Sequence, residues 1–241
     1  MNITIILFSF VLVLIPSFIL YKLQIGLYKE IIINSIRALL QLSALGFILG
    51  FLFKIENYWY YILILAAMLS YSALIAKKRT NFSYKAALIS LSLSTLSILA
   101  ILLIFKIITL KPNQFIPIAG MIIGNSLNAY TITIERLSRE LKIQKELIEA
   151  YIAIGASYNE AMKSMQKEAI KASLIPTNNM LQTIGIVAIP GITTGMLLAG
   201  APPLEAISYQ IVIIYMLVSI NLFSSLIGTY FLIRARPLTP S

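Results

Sequence analysis

Cysteine, histidine and aspartate are all missing from this 241-residue chain, and each absence closes off a class of chemistry. Without cysteine there is no disulfide framework, no thiol nucleophile and no thiolate metal site. Without histidine or aspartate, Ser–His intramembrane proteases, aspartyl proteases and HExxH zinc proteases are excluded. A tight transition-metal site would rest on Glu, Met, Asn, Gln, Tyr or backbone oxygens, a poor set for borderline metals. No G-x-x-x-x-G-K-[ST] run occurs, so the chain lacks a P-loop and does not hydrolyse ATP by that route. The last apolar run carries no lysine, which rules out a retinal Schiff base there. Charge itself is scarce: 12% of residues are charged against 59% hydrophobic, far too apolar for an ordinary soluble domain.

What is present in quantity is long apolar runs. Seven of them approach or exceed the roughly 20 residues that span a bilayer core, at about 3–21, 31–53, 58–76, 86–105, 115–134, 178–199 and 206–232. Only helices satisfy their own backbone within one apolar segment in lipid, so the pattern predicts an all-α polytopic membrane protein, a single transmembrane domain over 1–241. The first run has no basic n-region and no small-x-small site after it, and reads as a retained helix, not a signal peptide. The net charge of +10 follows topology. With the N-terminus outside, the inner loops hold Lys22, Lys29, Lys77, Lys78, Arg79, Lys85, Arg234, Arg236 and the basic residues of the 135–176 interval. The outer loops hold only Lys54, Lys106 and Lys111. That asymmetry puts the C-terminus in the cytoplasm and predicts a multi-pass protein of the cell membrane. No basic patch interleaves with aromatics, so no nucleic-acid partner is expected.

The one long polar interval, about 135–176, organises the rest. It carries Arg136, Arg139, Lys142, Lys145, Lys163, Lys167 and Lys171 beside six of the nine acidic residues. Within it, ELIEAYIAIGASYNEAMKSMQKEAIKASLIP predicts two helices meeting at a small-residue turn. Gly155 closes the first in the left-handed cap conformation. Ser157 caps the second, with Glu160 three residues on completing a capping box. The fifth span is expected to run straight on into this cytoplasmic elbow at Glu135, and an ordered elbow on one face suits presentation to a partner.

Several polar groups lie inside the spans. Arg37 and Gln41 stand one helical turn apart in the second, and either face a protein interior or wet cavity, or Arg37 snorkels to the headgroups. Gly46 and Gly50 there, and Gly120 and Gly124 in the fifth span, make small-xxx-small pairs. The hydroxyls of SLSLSTLS in the fourth are expected to bond back to their own helix. Asn125, Ser126 and Asn128 set amides and a hydroxyl deep in the fifth, where they either knit helices together or line a wet pathway. In the sixth, Pro190 removes a backbone bond, and Gly191 and Gly195 flank Thr193 and Thr194: a hinge, or a static kink. Tyr209 and Gln210 open the seventh. No inverted repeat is visible, which weakens a secondary-transporter reading.

At the elbow, Glu149-Ala150-Tyr151-x-x-x-Gly155 followed by a helix ending in Leu174-Ile175-Pro176 resembles the Glu-Ala-Ala…Gly…Leu-Pro coupling motif of ABC-importer permeases, with a longer interval between Gly155 and Pro176. Three blocks, RALLQLSALGFIL at 37–49, GMIIGNSLNAYTITIERL at 120–137 and the run from Gly155 to Ile211, resemble the FetB-type (UPF0014) ABC transporter permease family over most of the chain beyond the first helix. The break at Pro190-Gly191-Ile192-Thr193-Thr194-Gly195-Met196 departs from that family's usual Pro-Gly-Met-Met-Thr-Gly-Gln.

The resemblance implies a permease subunit, not itself an enzyme, that couples ATP hydrolysis in a separate ABC ATPase to solute movement. It also implies two copies of each chain in the complex, ATP-Mg bound by the partner and no cofactor in this chain. Iron export is the role that gives the family its name; plant relatives are linked to nucleotide-sugar transport and aluminium tolerance. The elbow from about Leu147 to Glu160, with Glu149, Ala150, Gly155, Ala156, Ser157 and Glu160, would dock in the ATPase. Arg37, Gln41, Asn125, Asn128, Thr193 and Thr194 are candidates for a polar lining, with Pro190, Gly191 and Gly195 as hinge; no metal ligands are assigned. The alternatives are an ABC-linked module that transports nothing, a stand-alone carrier driven by an ion gradient, and a structural assembly factor.

Overall fold

The computed structural model describes residues 8–52 and 57–235. Lys54, Arg236 and the start of the first predicted span, residues 3–7, lie outside them. The described residues form helices joined by short turns, and among them there is no strand. They fall into two compact units, one within Met1–Glu56 and one within Asn57–Ser241.

The first unit is a helical hairpin of α1 (Val11–Lys22) and α2 (Tyr28–Leu52). Pro16 lies inside α1, and the neighbouring Ser17 donates its hydroxyl to the Val13 carbonyl at 2.7 Å. Gln24, at φ +53°, turns the chain, and Tyr21 meets Tyr28 edge-on across the turn at 5.2 Å.

The second unit contains α3 (Tyr58–Thr80), α4 (Tyr84–Ile104), α5 (Pro112–Ile143), α6 (Lys145–Ala153), α7 (Tyr158–Thr183), α8 (Gly191–Leu198) and α9 (Pro203–Ala235). Local sequence sets the boundaries. Asn57 caps α3 by accepting from the Trp59 amide at 3.0 Å, and Ser83 caps α4. Lys77, Lys78 and Arg79 fill the last turn of α3, where the helix dipole favours cations. Pro112 and Pro203 each open a helix, where a missing N–H costs nothing. Helices α5 and α9 pack on each other at the centre, α3, α4 and α7 pack against α5, and α4 and α7 also pack against α9.

Two expectations are met and two are corrected. Helix α5 does run unbroken from the fifth predicted span into the polar interval, ending at Ile143. The two elbow helices do meet at Gly155. The second of them, however, does not stop at Pro176: α7 continues to Thr183 with the proline inside it. A proline there forfeits the bond to the Ala172 carbonyl, but Ser173 and Thr177 on either side are hydrogen-bonded to α9 and hold the helix in line. The sixth predicted span, 178–199, is likewise not one helix. The chain leaves α7 at Thr183 and turns through Gly185 at φ +81°. It re-enters a helix of eight residues at Gly191, with Pro190 as the residue before its first turn. Pro190 therefore starts a helix and does not kink one. Five helices are long and apolar enough to cross a membrane among the described residues: α2, α3, α4, α5 and α9.

The polar interval is part of the bundle. Helix α7 buries Ala161, Met165, Ala169, Ser173 and Thr177, one residue every four, along a single ridge facing α5 and α9. Met162 and Met165 join Tyr130, Ile134, Leu137, Ile148 and Leu232 in the main core cluster. Gly228 of α9 lies against this cluster: an added Cβ there would lie 2.8 Å from the ring of the fully buried Tyr130. Gly124, by contrast, faces open space. Gly228→Ala is expected to destabilise the purified protein by about 1–3 kcal/mol through overpacking, with Gly124→Ala close to neutral. Thermal unfolding in detergent checks this; equal midpoints for the two variants would show that the ring can give way.

Candidate functional site

The elbow is built from complementary end signals. At the end of α6 the Ala156 amide donates to the Tyr151 carbonyl and the Gly155 amide to the Ile152 carbonyl, both at 3.0 Å, the paired bonds of a Schellman turn. Gly155 has φ +95°, a conformation an L side chain adopts only with strain. Two residues later the Ser157 hydroxyl accepts from the Glu160 amide at 3.3 Å, and the Glu160 carboxylate accepts from the Ser157 amide at 2.8 Å. The capping box expected from the sequence is thus formed. The Ser157 hydroxyl, then its amide, then Lys163 hold the Glu160 carboxyl below the usual glutamate range.

Helix α6 is anchored by one side chain. Ile148 is 1% exposed and sits in the core, whereas Leu147 and Tyr151 on the same short helix and Ile154 at its C-cap are exposed, Ile154 by 81%. Glu149 pairs with Lys145 at 3.5 Å on its surface, and Ala150 lies between them and the turn. The exposed side chains form an apolar patch beside a charged pair, at a turn closed by local hydrogen bonds.

A polar pocket of about 310 Å³ opens between α5, α7 and α9. Asn125, Asn128 and Thr131 come from α5, Ser173, Pro176 and Thr177 from α7, and Asn221 from α9. Arg79, at the end of α3, lines it together with Glu135, 3.9 Å away. Behind the pocket the helices are joined by hydroxyls. Thr133 donates to Ser225 at 2.8 Å, Ser173 lies 2.7 Å from the same oxygen, and Ser225 donates to the Asn221 carbonyl at 2.7 Å. A second relay runs from Ser94 of α4 to Ser126 of α5 at 2.9 Å and on to Ser224 of α9 at 3.0 Å. Gln166 of α7 donates to Thr229 of α9 at 2.9 Å.

Of the predicted lining residues, Asn125 and Asn128 meet in this pocket. Thr193 and Thr194 do not line it: Thr193 donates to Gln210 of α9 at 3.3 Å and Thr194 to the Pro190 carbonyl at 3.2 Å. Pro190, Gly191 and Gly195 likewise belong to α8 and its start. Arg37 and Gln41 belong to the first unit, on α2, where the Arg37 guanidinium donates to Asn34 at 3.4 Å. The fourth-span hydroxyls behave as expected at Ser97, which bonds to the Leu93 carbonyl, but Ser94 also reaches across to α5.

Sequence reasoning passed over Asn221, Ser173, Thr177, Arg79 and Glu135. The signal lay in α9, where Asn221, Ser224 and Ser225 stand at i, i+3 and i+4 in an otherwise apolar run. For a metal the pocket offers one carboxylate, Glu135, already beside Arg79. Among the described residues no three acidic side chains converge.

Two tests follow from this geometry. Ser225→Ala removes the acceptor of the buried Thr133 hydroxyl and its contact with Ser173, and is expected to cost about 1–3 kcal/mol, while Ser97→Ala, bonded only within its own helix, changes little; chemical unfolding reads both. Carboxyl NMR titration should show Glu160 releasing its proton below the usual glutamate range, with Ser157→Ala moving it back up. Because the folded value is depressed, the box contributes its stabilisation above the unfolded glutamate value and loses it as pH falls through the folded one.

Comparison with known proteins gives the chain a family. The profile of the family described as "Uncharacterised protein family (UPF0014)" matches residues 3–236. ALUMINUM SENSITIVE 3 of Arabidopsis thaliana is 34% identical over 226 residues, covering 92% of this chain and 82% of its own. The UPF0014 membrane protein YjkA of Bacillus subtilis is 32% identical over 210 residues, 86% and 84% of the two chains. The probable iron export permease protein FetB of Escherichia coli is 31% identical over 229 residues, 94% and 88%. No solved structure matches. With the family profile spanning nearly its whole length and relatives named as membrane proteins, this multi-pass membrane protein belongs to the UPF0014 family.

Proposed function

We propose that the chain is the membrane permease subunit of an ABC transporter, coupling ATP hydrolysis in a separate ATPase to solute movement. The observation that carries this is the elbow. A Schellman turn and a capping box fix the angle between α6 and α7, expose an apolar face of α6, and leave the far end of α7 in the wall of a polar pocket. A docked ATPase thereby grips one end of a helix whose other end touches the solute. Leu147, Tyr151 and Ile154 enter the partner's groove, Glu149 and Ala150 lie on the docked helix, and Gly155, Ala156, Ser157 and Glu160 set the angle. ATP-Mg is held by the partner, and the complex contains two permeases and two ATPases.

Iron export is carried in the name of one relative, FetB. Here a bare iron ion would find Glu135 as its one carboxylate, a thin set of hard ligands. The absence of a buried carboxylate cluster among the described residues also favours ATP-driven over ion-gradient transport.

The test is affinity purification of the tagged protein from its native membrane, with Gly155→Val beside the unaltered chain. There is open space at that position, so the cost of valine is conformational, roughly 1–2 kcal/mol, or about a ten-fold loss of the ordered turn. An ATPase carrying a P-loop should co-purify with the unaltered protein, and Gly155→Val should release it or uncouple its activity from transport. A well-folded protein that brings down no ATPase would overturn the reading.

A further inference from the structure

The pocket between α5, α7 and α9 has a directional character. Part of the hydrogen-bonding capacity of its lining is already committed within the protein. Asn125 donates its amino group to the Met121 carbonyl at 2.9 Å. Thr131 donates to the Leu127 or Asn128 carbonyl at 2.9 and 3.0 Å. Ser173 lies 2.7 Å from both the Ile170 carbonyl and Ser225, and Ser225 is itself committed to the Asn221 carbonyl, so the Ser173 proton stays within the bundle. Asn221 gives its amino group to Thr177, and its carboxamide oxygen is left without a partner although the residue is only 7% exposed. Such an orphaned buried acceptor costs free energy unless something enters to donate to it. What faces the cavity is a mixed set of carboxamides and hydroxyls that includes the unpartnered Asn221 oxygen and the Asn128 carboxamide.

Charge narrows the occupant further. The two ionised groups lining the pocket, Arg79 and Glu135, lie 3.9 Å apart and offset each other. The lining carries no net charge to attract an anion or to offset the charge of a bare multivalent cation, which would need several carboxylates. The volume of about 310 Å³ is far larger than a naked ion and falls at the lower end of the roughly 300–1,000 Å³ of small-molecule sites.

The geometry points to a binding site for a small neutral polyhydroxylated solute, its O–H groups donating to Asn221, Asn125 and the hydroxyl oxygens around them. The inference rests on the pocket being the permease's solute site, and it names the class of solute. Asn221 supplies the unpartnered buried acceptor. Asn128 is exposed at the pocket with no side-chain hydrogen bond among the described residues, and it is free to adjust to the solute.

The experiment is ligand-dependent thermal unfolding of the full chain in detergent, without any ATPase. The probes are myo-inositol, sorbitol and glucose, set against inorganic phosphate and Mn²⁺. At least one polyol should give a saturable rise in midpoint, absent with phosphate and Mn²⁺. Asn221→Leu, which keeps the volume but removes the acceptor, should weaken that binding about ten-fold or more. Asn128→Leu, which breaks no bond within the protein, does the same if Asn221→Leu fails to fold. The inference is overturned if no polyol shifts the midpoint, if the shift survives in both folded variants, or if phosphate or Mn²⁺ competes for the same site. Because the ATPase is absent, polyol binding by a chain that recruits no ATPase would sink the transporter reading alone. Recruitment without polyol binding would sink only the solute class.

Discussion

The hydroxyl of Ser225 is the junction on which the bundle depends. In an apolar solvent, burying one leucine against another brings little, because lipid already offers the same contact. What selects a unique packing is the need of polar groups for partners. Ser225 accepts from Thr133 of α5, lies against Ser173 of α7, and donates to its own helix at Asn221. Three helices thus meet within one set of bonds, each worth only about 0.5–1.5 kcal/mol net but together intolerant of rotation. The Ser94–Ser126–Ser224 relay ties in α4 in the same manner.

This junction explains why a helix with as many lysines as α7 belongs to the bundle at all. One face carries Lys163, Lys167 and Lys171, while the opposite ridge carries small or flexible residues that let α5 and α9 approach. Its 26 residues extend about 39 Å, from the capped elbow to the pocket wall. The elbow and the pocket are therefore two ends of one element, and no chain of intermediate contacts is required between them.

The sequence was most legible where local chemistry decides. Gly155 followed by Ser157-x-x-Glu160 is a stop and a start whose bonds involve only neighbours, and both formed as read. The long apolar runs were equally plain, and α3, α4, α5 and α9 lie close to their expected bounds. The failures came where a distant partner overrides the local signal. Pro176 reads as a terminus, yet the helix runs past it where Ser173 and Thr177 bond to α9. The run at 178–199 is apolar enough to span, yet Gly185, Pro190 and Gly191 break it into a turn and a short helix. The pocket was half visible, through Asn125 and Asn128. Its other wall needed the pairing of α7 with α9, which no pattern within either segment reveals.

The ridge on α7 also fixes a length. Ala161, Met165, Ala169, Ser173 and Thr177 recur at intervals of four, so each helix turn from the cap to the pocket is in register with the next. One residue added between them would turn everything beyond it by about 100°, carrying Ser173 away from Ser225 and Thr177 away from Asn221 while leaving the elbow untouched. The number of residues from Ser157 to Thr177 is thus as much a component of the site as any side chain. Variation in chain length among proteins built on this plan belongs in the turns outside that interval.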